Sequence, residues 1–339
     1  MAAPPLCLSF PDVEAAYGRI SPHVHRTPVL TNSHLVSLSS RSNVLFKCEA
    51  FQRTGSFKFR GATNAVLCAK EACPELPAVV THSSGNHAQA LALAAGMQGV
   101  KAHIVMPDTA PRTKLEAVRD TYKAAVTLVP ASERQSAADK KLAEIPGSEF
   151  VHPSEDPRVI AGQGTVCMEL MEQTEEQLGA GSKLDVVIIP VGGGGLASGN
   201  SVALRGKWGR DVKIVLAEPA IVDDAKRSFD AGELVKNGPE KSVGDGLNTQ
   251  LGPNTFPVIK ANVDDIYTVT EDDILRNTRL VWERMKVLIE PSAGVGVAVL
   301  LSDAFKAKYP PAQFPNVGVI LCGGNVDVVD VAAKMAKLP

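Results

Sequence analysis

The sequence predicts an α/β protein built from two open, twisted sheets with helices on their faces. Three segments repeat one order, in which a β-branched strand passes through a glycine-containing turn into a helix-compatible stretch. The strands of these segments are continuous apolar runs, which is typical of parallel strands buried on both faces. Strands that alternate with helices in this way indicate the α/β class.

The three units follow one another along the chain. The first has a strand at 78–81, a turn at 82–87, a helix at 88–95 and a returning strand at 103–106. The second has a strand at 186–191, the glycine run 192–195, a helix at about 196–205 and a returning strand at 213–217. The third has a strand at 317–321, a turn at 322–325 and a closing helix near 328–337.

The length predicts two domains. At about 150 residues per domain, 339 residues suffice for two hydrophobic cores. The stretch from Pro130 to Pro157 is rich in proline, serine and charge, which is typical of a connection between domains. We therefore expect a small domain at 78–150, inserted into a large domain formed by 1–77 and 151–339.

Composition excludes several classes of function. Lys and Arg number 35 against 37 Asp and Glu, a formal net charge of -2, so nucleic acid and membranes are not expected partners. The 6 cysteines include no C-x-x-C pair, which argues against a zinc framework and a dithiol redox site. The start of the chain has no secretory or organellar signal pattern, and no apolar run reaches about 20 residues, so we expect a cytoplasmic protein.

The run from Gly192 to Gly195 is the strongest candidate for a phosphate site. Unpaired amides and the positive end of a helix dipole meet where a strand leads through a glycine turn into a helix. Residues without a Cβ atom let these amides wrap closely around a phosphate. A dinucleotide site stays open as an alternative, because Gly192, Gly194 and Ala197 match the G-x-G-x-x-A fingerprint and Glu218 ends the next strand.

Lys58 is a candidate nucleophile. It lies between Phe57 and Phe59 where a helix begins, and Arg60 follows two positions on. An apolar wall and a neighbouring cation both lower the pKa of an amine. With an ordinary pKa near 10.4, only about one amine in 2500 is free base at pH 7, so a catalytic Lys58 needs such a shift.

Several ordered motifs resemble those of one family. They are Gly55-Ser56-Phe57-Lys58-x-Arg60-Gly61-Ala62, Ser83-Ser84-Gly85-Asn86-His87, the glycine run, Trp282-Glu283-Arg284-Met285-Lys286 and Glu290-Pro291-x-Ala293-Gly294-Val295-Gly296. In these motifs the chain resembles the fold-type II pyridoxal-phosphate enzymes, and within them the serine racemase and serine/threonine dehydratase group. The resemblance runs from Thr27 to Asp327. It implies bound pyridoxal 5'-phosphate, a tryptophan synthase beta-like fold and a homodimer.

The resemblance also implies a role for each motif. Lys58 matches the lysine that binds the cofactor aldehyde and takes the proton from the substrate Cα. Asn86 matches the residue that bonds the ring hydroxyl of the cofactor, and Cys322 stands where the pyridine nitrogen is contacted. The other cofactor-binding residues implied in this way are Phe57, Gly192, Gly193, Gly194, Gly195 and Leu196. The substrate-binding residues implied are Ser83, Ser84, Asn86, His87 and Arg134.

Ser84 bears on the choice between two reactions. It matches the serine that serves as second acid and base opposite Lys58 in serine racemases, where mammalian-type serine dehydratases tend to have alanine. Return of the Cα proton on that face gives D-serine, whereas loss of the β-hydroxyl gives pyruvate and ammonia. Cys322 departs from the serine common in animal serine racemases, and a neutral thiol stabilises a charged pyridine ring less than a carboxylate does.

Two secondary sites follow from the resemblance. Glu218, Asp224 and the carbonyl of Val222 match a divalent-cation site, for which hard oxygen ligands suit Mg²⁺, Ca²⁺ or Mn²⁺. Arg134 resembles an arginine near the active-site mouth that can bind a second carboxylate. Ser154 departs from the asparagine usual beside the cofactor in animal serine racemases.

We therefore expect a pyridoxal-phosphate enzyme that racemises serine and also eliminates its β-hydroxyl. One alternative is an ammonia-lyase for threonine, serine or 3-hydroxyaspartate with little racemase activity. A second is an NAD-dependent oxidoreductase that uses Gly192, Gly194 and Ala197. A third is a non-catalytic regulator that binds an amino acid.

Overall fold

The structure is a computed structural model that describes residues 6–110 and 112–338. In that part of the chain, the strands form one six-stranded and one four-stranded sheet with helices on their faces. The predicted α/β class with two helix-covered sheets is confirmed. No helix among these residues is both long enough and apolar enough to cross a membrane.

The bounds of the strands and helices follow the order of the chain. The strands are β1 (Val29–Leu30), β2 (Asn43–Cys48), β3 (Ala78–His82), β4 (Lys101–Pro107), β5 (Ala125–Val129), β6 (Glu149–Phe150), β7 (Val186–Pro190), β8 (Lys213–Pro219), β9 (Asp265–Val269) and β10 (Asn316–Leu321). The helices are α1 (Phe10–Ile20), α2 (Ser33–Ser39), α3 (Lys58–Ala72), α4 (Asn86–Met97), α5 (Arg112–Glu116), α6 (Arg134–Glu144), α7 (Pro157–Leu178), α8 (Gly195–Trp208), α9 (Asp224–Ala231), α10 (Thr255–Asn262), α11 (Glu271–Met285), α12 (Pro291–Leu301), α13 (Asp303–Lys308) and α14 (Val328–Met335).

The six-stranded sheet has the order β1-β2-β10-β7-β8-β9. β1 runs antiparallel to β2, and the other neighbours are parallel. β10 lies between β2 and β7, with Leu321 opposite Cys48 and Val319 opposite Ile188. The turns that follow β2, β7 and β10 therefore meet at one edge, which is where open α/β sheets bind ligands.

The four-stranded sheet has the order β5-β4-β3-β6, and its neighbouring strands are all parallel. Its strands lie within 78–150, the segment predicted as the small domain, although the domain boundaries themselves stay a prediction. α3 precedes that segment but packs on α4, so that Phe59, Ala65 and Leu91 are fully buried in one apolar cluster. The core under the small sheet therefore includes a helix from the preceding part of the chain.

The segment from Pro130 to Pro157 is more regular than a simple connection between domains. It contains α6 and β6, and Ala138 of α6 is fully buried against Val80 and Val105. One buried face is enough to hold an otherwise polar helix against a sheet. The prolines and charged residues of this segment did not predict that one side of α6 is buried.

Four buried charged residues form a cluster behind α3: Lys47, Glu49, Arg60 and Glu169. Arg60 donates to both oxygens of Glu49 (2.8 and 2.8 Å) and to both oxygens of Glu169 (2.7 and 2.8 Å). Lys47 Nζ donates to Glu169 Oε2 at 2.7 Å. Two positive and two negative charges balance each other, as buried ions require. The cluster joins the start of α3 to β2 and α7.

Candidate active site

Lys58 is the first residue of α3, and the backbone before it is joined to the end of β10. The amide of Phe57 donates to the carbonyl oxygen of Cys322 at 3.0 Å. Gly55 has a φ of +71, and a Cβ atom there would lie 2.7 Å from Asn325 Oδ1, so this turn requires glycine. Two segments that are far apart in the chain thus hold Lys58 at the carboxyl edge of the large sheet.

The amine of Lys58 is enclosed and held by one carbonyl. Its Nζ donates to Pro153 O (2.8 Å) and lies 5.2 Å from the centroid of the Phe57 ring. Burial lowers the pKa of Lys58 to about 8, although Cys322 and Glu290 act in the opposite direction. About one amine in ten is then free base at pH 7.

Arg60 does not contribute to this shift in the way the sequence suggested. Its guanidinium is turned toward Glu49 and Glu169 in the buried cluster, where its charge is balanced. Residues two apart on a helix point to different sides. The lowered pKa of Lys58 therefore comes from burial of the amine.

The glycine run leads from β7 into α8 and forms a concave backbone surface. A Cβ atom at Gly192 would lie 2.9 Å from Thr249 Oγ1, and one at Gly193 would lie 2.7 Å from Ser154 Oγ. The amide of Gly193 donates to Thr249 Oγ1 at 2.8 Å. The first amides of α8, including that of Leu196, have no acceptor within the helix, because no carbonyl stands one turn before them.

Asn86, the first residue of α4, is held by two side chains from segments beside the large sheet, one just before α12 and one in the turn after β10. Its Nδ2 donates to both carboxylate oxygens of Glu290 (3.0 and 3.1 Å), and its Oδ1 accepts from Asn325 Nδ2 (2.9 Å). The amide of Asn325 also donates to Glu290 Oε2 at 3.2 Å. This network fixes the orientation of Asn86 and links the two sheets across the site.

Burial favours the neutral forms of two acidic groups in this part of the site, the carboxyl group of Glu290 and the thiol of Cys322. Burial raises the pKa of Glu290 to about 7, and Asp245 adds to the effect while Asn86 opposes it. Burial also raises the pKa of the Cys322 thiol well above its ordinary value. The thiol at the end of β10 is therefore uncharged at neutral pH.

The turn from β3 into α4 carries the two serines expected to meet the substrate. The amide of Ser83 donates to Val105 O (3.1 Å), and the amide of Gly85 donates to Ser83 Oγ (3.3 Å). Within the residues that the structure describes, the Ser84 hydroxyl has no hydrogen-bond partner and is available to a ligand. The positive end of the α4 dipole lies at this turn and favours an anion.

His87 lies in the first turn of α4 and is buried. Its Nε2 contacts Val151 O at 3.2 Å, and its Nδ1 has no partner in the described part of the chain. Burial lowers the pKa of His87 well below its ordinary value, and the nearby charge of Lys58 lowers it further. The ring is therefore neutral, with Nε2 donating to the carbonyl.

Arg134 lies at the edge of the site. It begins α6, and its Nε donates to Ala131 O at 3.0 Å. The next residue, Gln135, contacts His82 Nε2 through its Oε1 (2.9 Å), one position before Ser83. The structure thus brings α6 to the turn before α4, while the contacts of the described residues do not join Arg134 to another expected site residue.

Glu218 near the end of β8 and Asp224, the first residue of α9, lie apart from the other expected residues. Both side chains belong to residues that are 1% exposed. The oxygens of Glu218 accept from the amides of Ala225 (2.8 Å) and Lys226 (2.9 Å). Asp224 Oδ2 accepts from the amide of Leu251 at 2.9 Å.

That these two acids bind a cation stays a prediction. Burial raises the pKa of Glu218 to about 8 and also raises that of Asp224. Within the described ranges neither carboxylate has an ion-pair partner. Val222 is 2% exposed and its carbonyl is a possible third oxygen ligand. The same ranges contain no group of three or more His, Cys, Asp or Glu side chains suited to a metal ion.

Three contacts of the site were not predicted from the sequence: those made by the carbonyl of Pro153, by the hydroxyl of Thr249 and by Glu290 with Asn325. A backbone carbonyl has no sequence signature, and a threonine in a polar loop resembles any other. Glu290 stands immediately before Pro291 at the start of α12, a position that by itself indicates only a helix N-terminus. These contacts are recognised only once the chain is folded.

The family model described as "Pyridoxal-phosphate dependent enzyme" matches residues 20–323. The chain belongs to the pyridoxal-phosphate dependent enzyme family. The serine racemase of Bos taurus is 45% identical over 328 residues, which cover 96% of this chain and 95% of that protein. The beta-hydroxyaspartate dehydratase of Paracoccus denitrificans is 40% identical over 322 residues, 94% of this chain and 97% of that protein. The solved structure of serine racemase from Dictyostelium discoideum has a TM-score of 0.86 and 43% identity, covering 95% of this chain and 100% of that one.

The residues present fit the pyridoxal phosphate of this family. The glycine run excludes Cβ atoms and, with the N-terminus of α8, suits a phosphate group. Lys58 supplies an amine with a lowered pKa for an aldehyde. The uncharged thiol of Cys322 suits a pyridine nitrogen that carries no proton.

The dinucleotide alternative is not supported by these findings. Members of this enzyme family bind pyridoxal phosphate, and the family match includes the glycine run from Gly192 to Gly195. Glu218, the candidate ribose-binding acid, has both oxygens turned toward the first amides of α9. Its carboxylate therefore binds amides of α9 rather than pointing toward a ligand at the glycine run.

Proposed function

We propose that this chain interconverts L- and D-serine and also eliminates the β-hydroxyl of serine, which yields pyruvate and ammonia. The observation that carries the proposal is the 45% identity with a serine racemase over 96% of the chain. The free hydroxyl of Ser84 and the lowered pKa of Lys58 support it, because racemisation needs an acid or base on each side of Cα.

Both reactions begin with removal of the proton on the substrate Cα. Pyridoxal phosphate, when bound, supplies an electron sink that stabilises the negative charge left on that carbon. Lys58 takes the proton, because its pKa of about 8 leaves a useful fraction of the amine unprotonated at neutral pH. Pro153 O orients the amine through its hydrogen bond.

Ser84 returns the proton from the opposite side, which gives the other enantiomer. A hydroxyl is a weak acid, and the positive end of the α4 dipole beside it makes loss of its proton easier. The same helix end, with Ser83 and the neutral ring of His87, binds the substrate carboxylate. When the β-hydroxyl leaves before Ser84 acts, the products are pyruvate and ammonia instead of D-serine.

Asn86, Cys322, Phe57 and the glycine run would hold the cofactor. The amides of the glycine run that have no protein partner, with that of Leu196, would bind its phosphate, and Asn86, whose amide Glu290 orients, would donate to its ring hydroxyl. A neutral thiol at Cys322 would leave the ring nitrogen unprotonated. The ring would then supply a weaker electron sink, and the residues around Cα would bear more of the catalysis.

A 3-hydroxyaspartate ammonia-lyase is the second candidate function. The observation that favours it is the 40% identity with a beta-hydroxyaspartate dehydratase over 94% of the chain. Arg134 is the residue that we assign to the second carboxylate of such a substrate, because α6 adjoins the turn before α4. A fixed charge there favours a dicarboxylic amino acid over serine or threonine.

Glu218, Asp224 and the carbonyl of Val222 form, in this proposal, a site for Mg²⁺, Ca²⁺ or Mn²⁺ that stabilises the fold rather than taking part in the chemistry. Two buried acids with raised pKa values and hard oxygen atoms support it. The enzyme further acts as a homodimer, an assignment that rests on family resemblance, and the cytoplasm remains its predicted location.

A substrate panel tests the function. Pure holoprotein is given L-serine, D-serine, L-threonine and 3-hydroxyaspartate, with and without Mg²⁺, and both keto acid and enantiomer are measured. We expect D-serine and pyruvate from L-serine. A protein that binds L-serine but releases neither product is a regulator, and one that consumes only 3-hydroxyaspartate is the second candidate.

Two variants test the residues. Ser84→Ala should lower D-serine formation by about 100-fold or more while pyruvate formation survives, since an acid or base contributes about 10²–10⁴-fold. Ser136→Ala, an exposed serine on α6 whose hydroxyl bonds only Glu133 O, is the matched control. Borohydride reduction followed by peptide mapping should find the cofactor on Lys58, and an adduct on another lysine contradicts the assigned site.

A further inference from the structure

The loop 151–155, which we call the crossing loop, leads from β6 to α7 and touches three parts of the site. The carbonyl of Val151 accepts from His87 Nε2 (3.2 Å) and from Thr81 Oγ1 (2.7 Å). The next carbonyl but one, that of Pro153, accepts from Lys58 Nζ (2.8 Å). Ser154 then lies against the glycine run. The crossing loop therefore sets where the amine of Lys58 is held.

The side chain of His152 folds this loop. Its Nδ1 accepts from the amides of Ser154 (3.2 Å) and Glu155 (3.0 Å). Pro153, which precedes both of these residues, has no amide hydrogen and a fixed φ. The ring thus satisfies the two amides that follow the proline, and this turn aims the Pro153 carbonyl at the amine of Lys58.

The ring of His152 is itself held in place. Its centroid lies 5.7 Å from that of His82 at 87° and 6.1 Å from that of Phe150 at 69°, both edge-on contacts. Burial, with smaller contributions from His82 and Lys58, lowers the pKa of His152 to about 4. The ring is neutral at physiological pH, so Nδ1 has a lone pair for the two amides.

We propose that His152 is a positioning residue for Lys58: its Nδ1 folds the crossing loop so that the carbonyl of Pro153 holds the lysine amine beside the substrate Cα. The inference rests on the proposed role of Lys58 as the acid and base of the reaction. In this proposal His152 itself contacts neither the substrate nor the cofactor. The ring acts through the backbone that it caps.

Loss of Nδ1 has two consequences for Lys58. The carbonyl is no longer aimed at the amine, and a misplacement of about 1 Å lowers a rate by about 100-fold. A hydrogen bond from the charged amine to a carbonyl favours the charged form, so its loss lowers the pKa of Lys58. The other titratable groups that face this amine are Cys322, Glu290, His87 and His152 itself.

The test compares three variants of the full-length protein. His152→Phe keeps an aromatic ring beside His82 and Phe150 but has no acceptor. His152→Asn places an amide oxygen near the position of Nδ1. His103→Leu changes another partly buried histidine, on β4, and serves as the control. His152→Leu replaces the phenylalanine variant if that one does not fold by circular dichroism.

Two measurements are made on each variant. The first is kcat and KM for serine. The second is the pH profile of the rate at which apoprotein captures pyridoxal phosphate, which follows the free-base fraction of Lys58 and should have its midpoint near pH 8 in the wild type. We expect His152→Phe to lower kcat by about 10- to 100-fold with a smaller change in KM, and to move the midpoint to lower pH. His152→Asn should recover most of both properties.

The outcomes separate this inference from the proposed function. If His152→Phe keeps the wild-type kcat and midpoint, or if the asparagine variant is as impaired as the phenylalanine variant, Nδ1 does not position Lys58. In either case peptide mapping of the reduced wild type still reports on Lys58 independently. An adduct absent from Lys58 in the wild type overturns the proposed function and this inference together.

Discussion

Replacing Glu169 by glutamine removes one of the two negative charges that balance Lys47 and Arg60. The side chain keeps its size, but three charge-assisted contacts of 2.7, 2.8 and 2.7 Å lose their anionic partner. The cluster is then left with one uncompensated positive charge in a fully buried place. Water cannot solvate that charge unless the protein unfolds locally.

The expected loss follows from this geometry. Breaking a buried ion pair by removing one partner costs about 3–5 kcal/mol. With an unfolding entropy of about 2.1 cal/mol/K per residue over 339 residues, this lowers Tm by about 4–7 °C. Burial opposes ionisation of Glu169, but the cations of Arg60 and Lys47 outweigh it and hold its pKa below the ordinary value of 4.5. The stabilisation is therefore present above pH 4.5 and declines as the pH falls below it.

Urea unfolding of holoprotein, followed by circular dichroism at several pH values, measures the effect. Glu283→Gln is the control, because its ion pair with Arg279 is exposed and should leave the midpoint nearly unchanged. A loss for Glu169→Gln no larger than that of the control would refute the reasoning. So would a difference from the wild type that grows as the pH falls.

Three further expectations concern the ligand sites and the network at Asn86. Gly193→Ala should weaken binding of pyridoxal phosphate by about tenfold or more, since its Cβ meets Ser154 Oγ and overpacking costs about 1–3 kcal/mol; equilibrium dialysis should find less change for pyridoxal, which has no phosphate. Mg²⁺ should raise Tm more at pH 9 than at pH 6, because the pKa of Glu218 is about 8 and the cation needs its ionised form. Glu218→Gln should abolish the effect, and Asp230→Asn on the neighbouring α9 should not. For Glu290, a pKa raised to about 7 means that the folded apoprotein binds more protons than the unfolded chain between pH 4.5 and 7. Its free energy of unfolding therefore falls as the pH rises from 4.5 to 7 and is constant above that range. Urea midpoints of Glu290→Gln should lack this fall, and a variant with the wild-type profile would place the titrating group elsewhere.

The fold class could be predicted because its signals are local. Each strand, glycine turn and helix of the three units lies within about 30 consecutive residues, and the observed α4 and α8 extend the predicted helices by only a few residues. The interior of the segment from Pro130 to Pro157 differs because its helix is held by a single buried alanine. A contact with a distant sheet leaves no periodic pattern in so polar a stretch.

The site divides in the same way. Lys58, Asn86 and the glycine run stand at the ends of strands or the starts of helices, where position alone indicates a ligand. The contacts that set their chemistry are long-range: Glu290 is 204 residues from Asn86, and Pro153 is 95 residues from Lys58. The pKa of a buried group depends on residues that are distant in the sequence, so it can be assigned only from the folded structure.

The position of β10 has a consequence for how the enzyme is made. Synthesis proceeds from the N-terminus, and domains form in that order. In the described part of the chain, β2, which precedes Lys58, and β7, which precedes the glycine run, both hydrogen-bond to residues 316–321, which are synthesised after them. A growing chain on the ribosome therefore contains Lys58 and the glycine run before it contains the strand that lies between β2 and β7. We therefore expect a chain that stops at residue 315 to bind no pyridoxal phosphate and to be colourless.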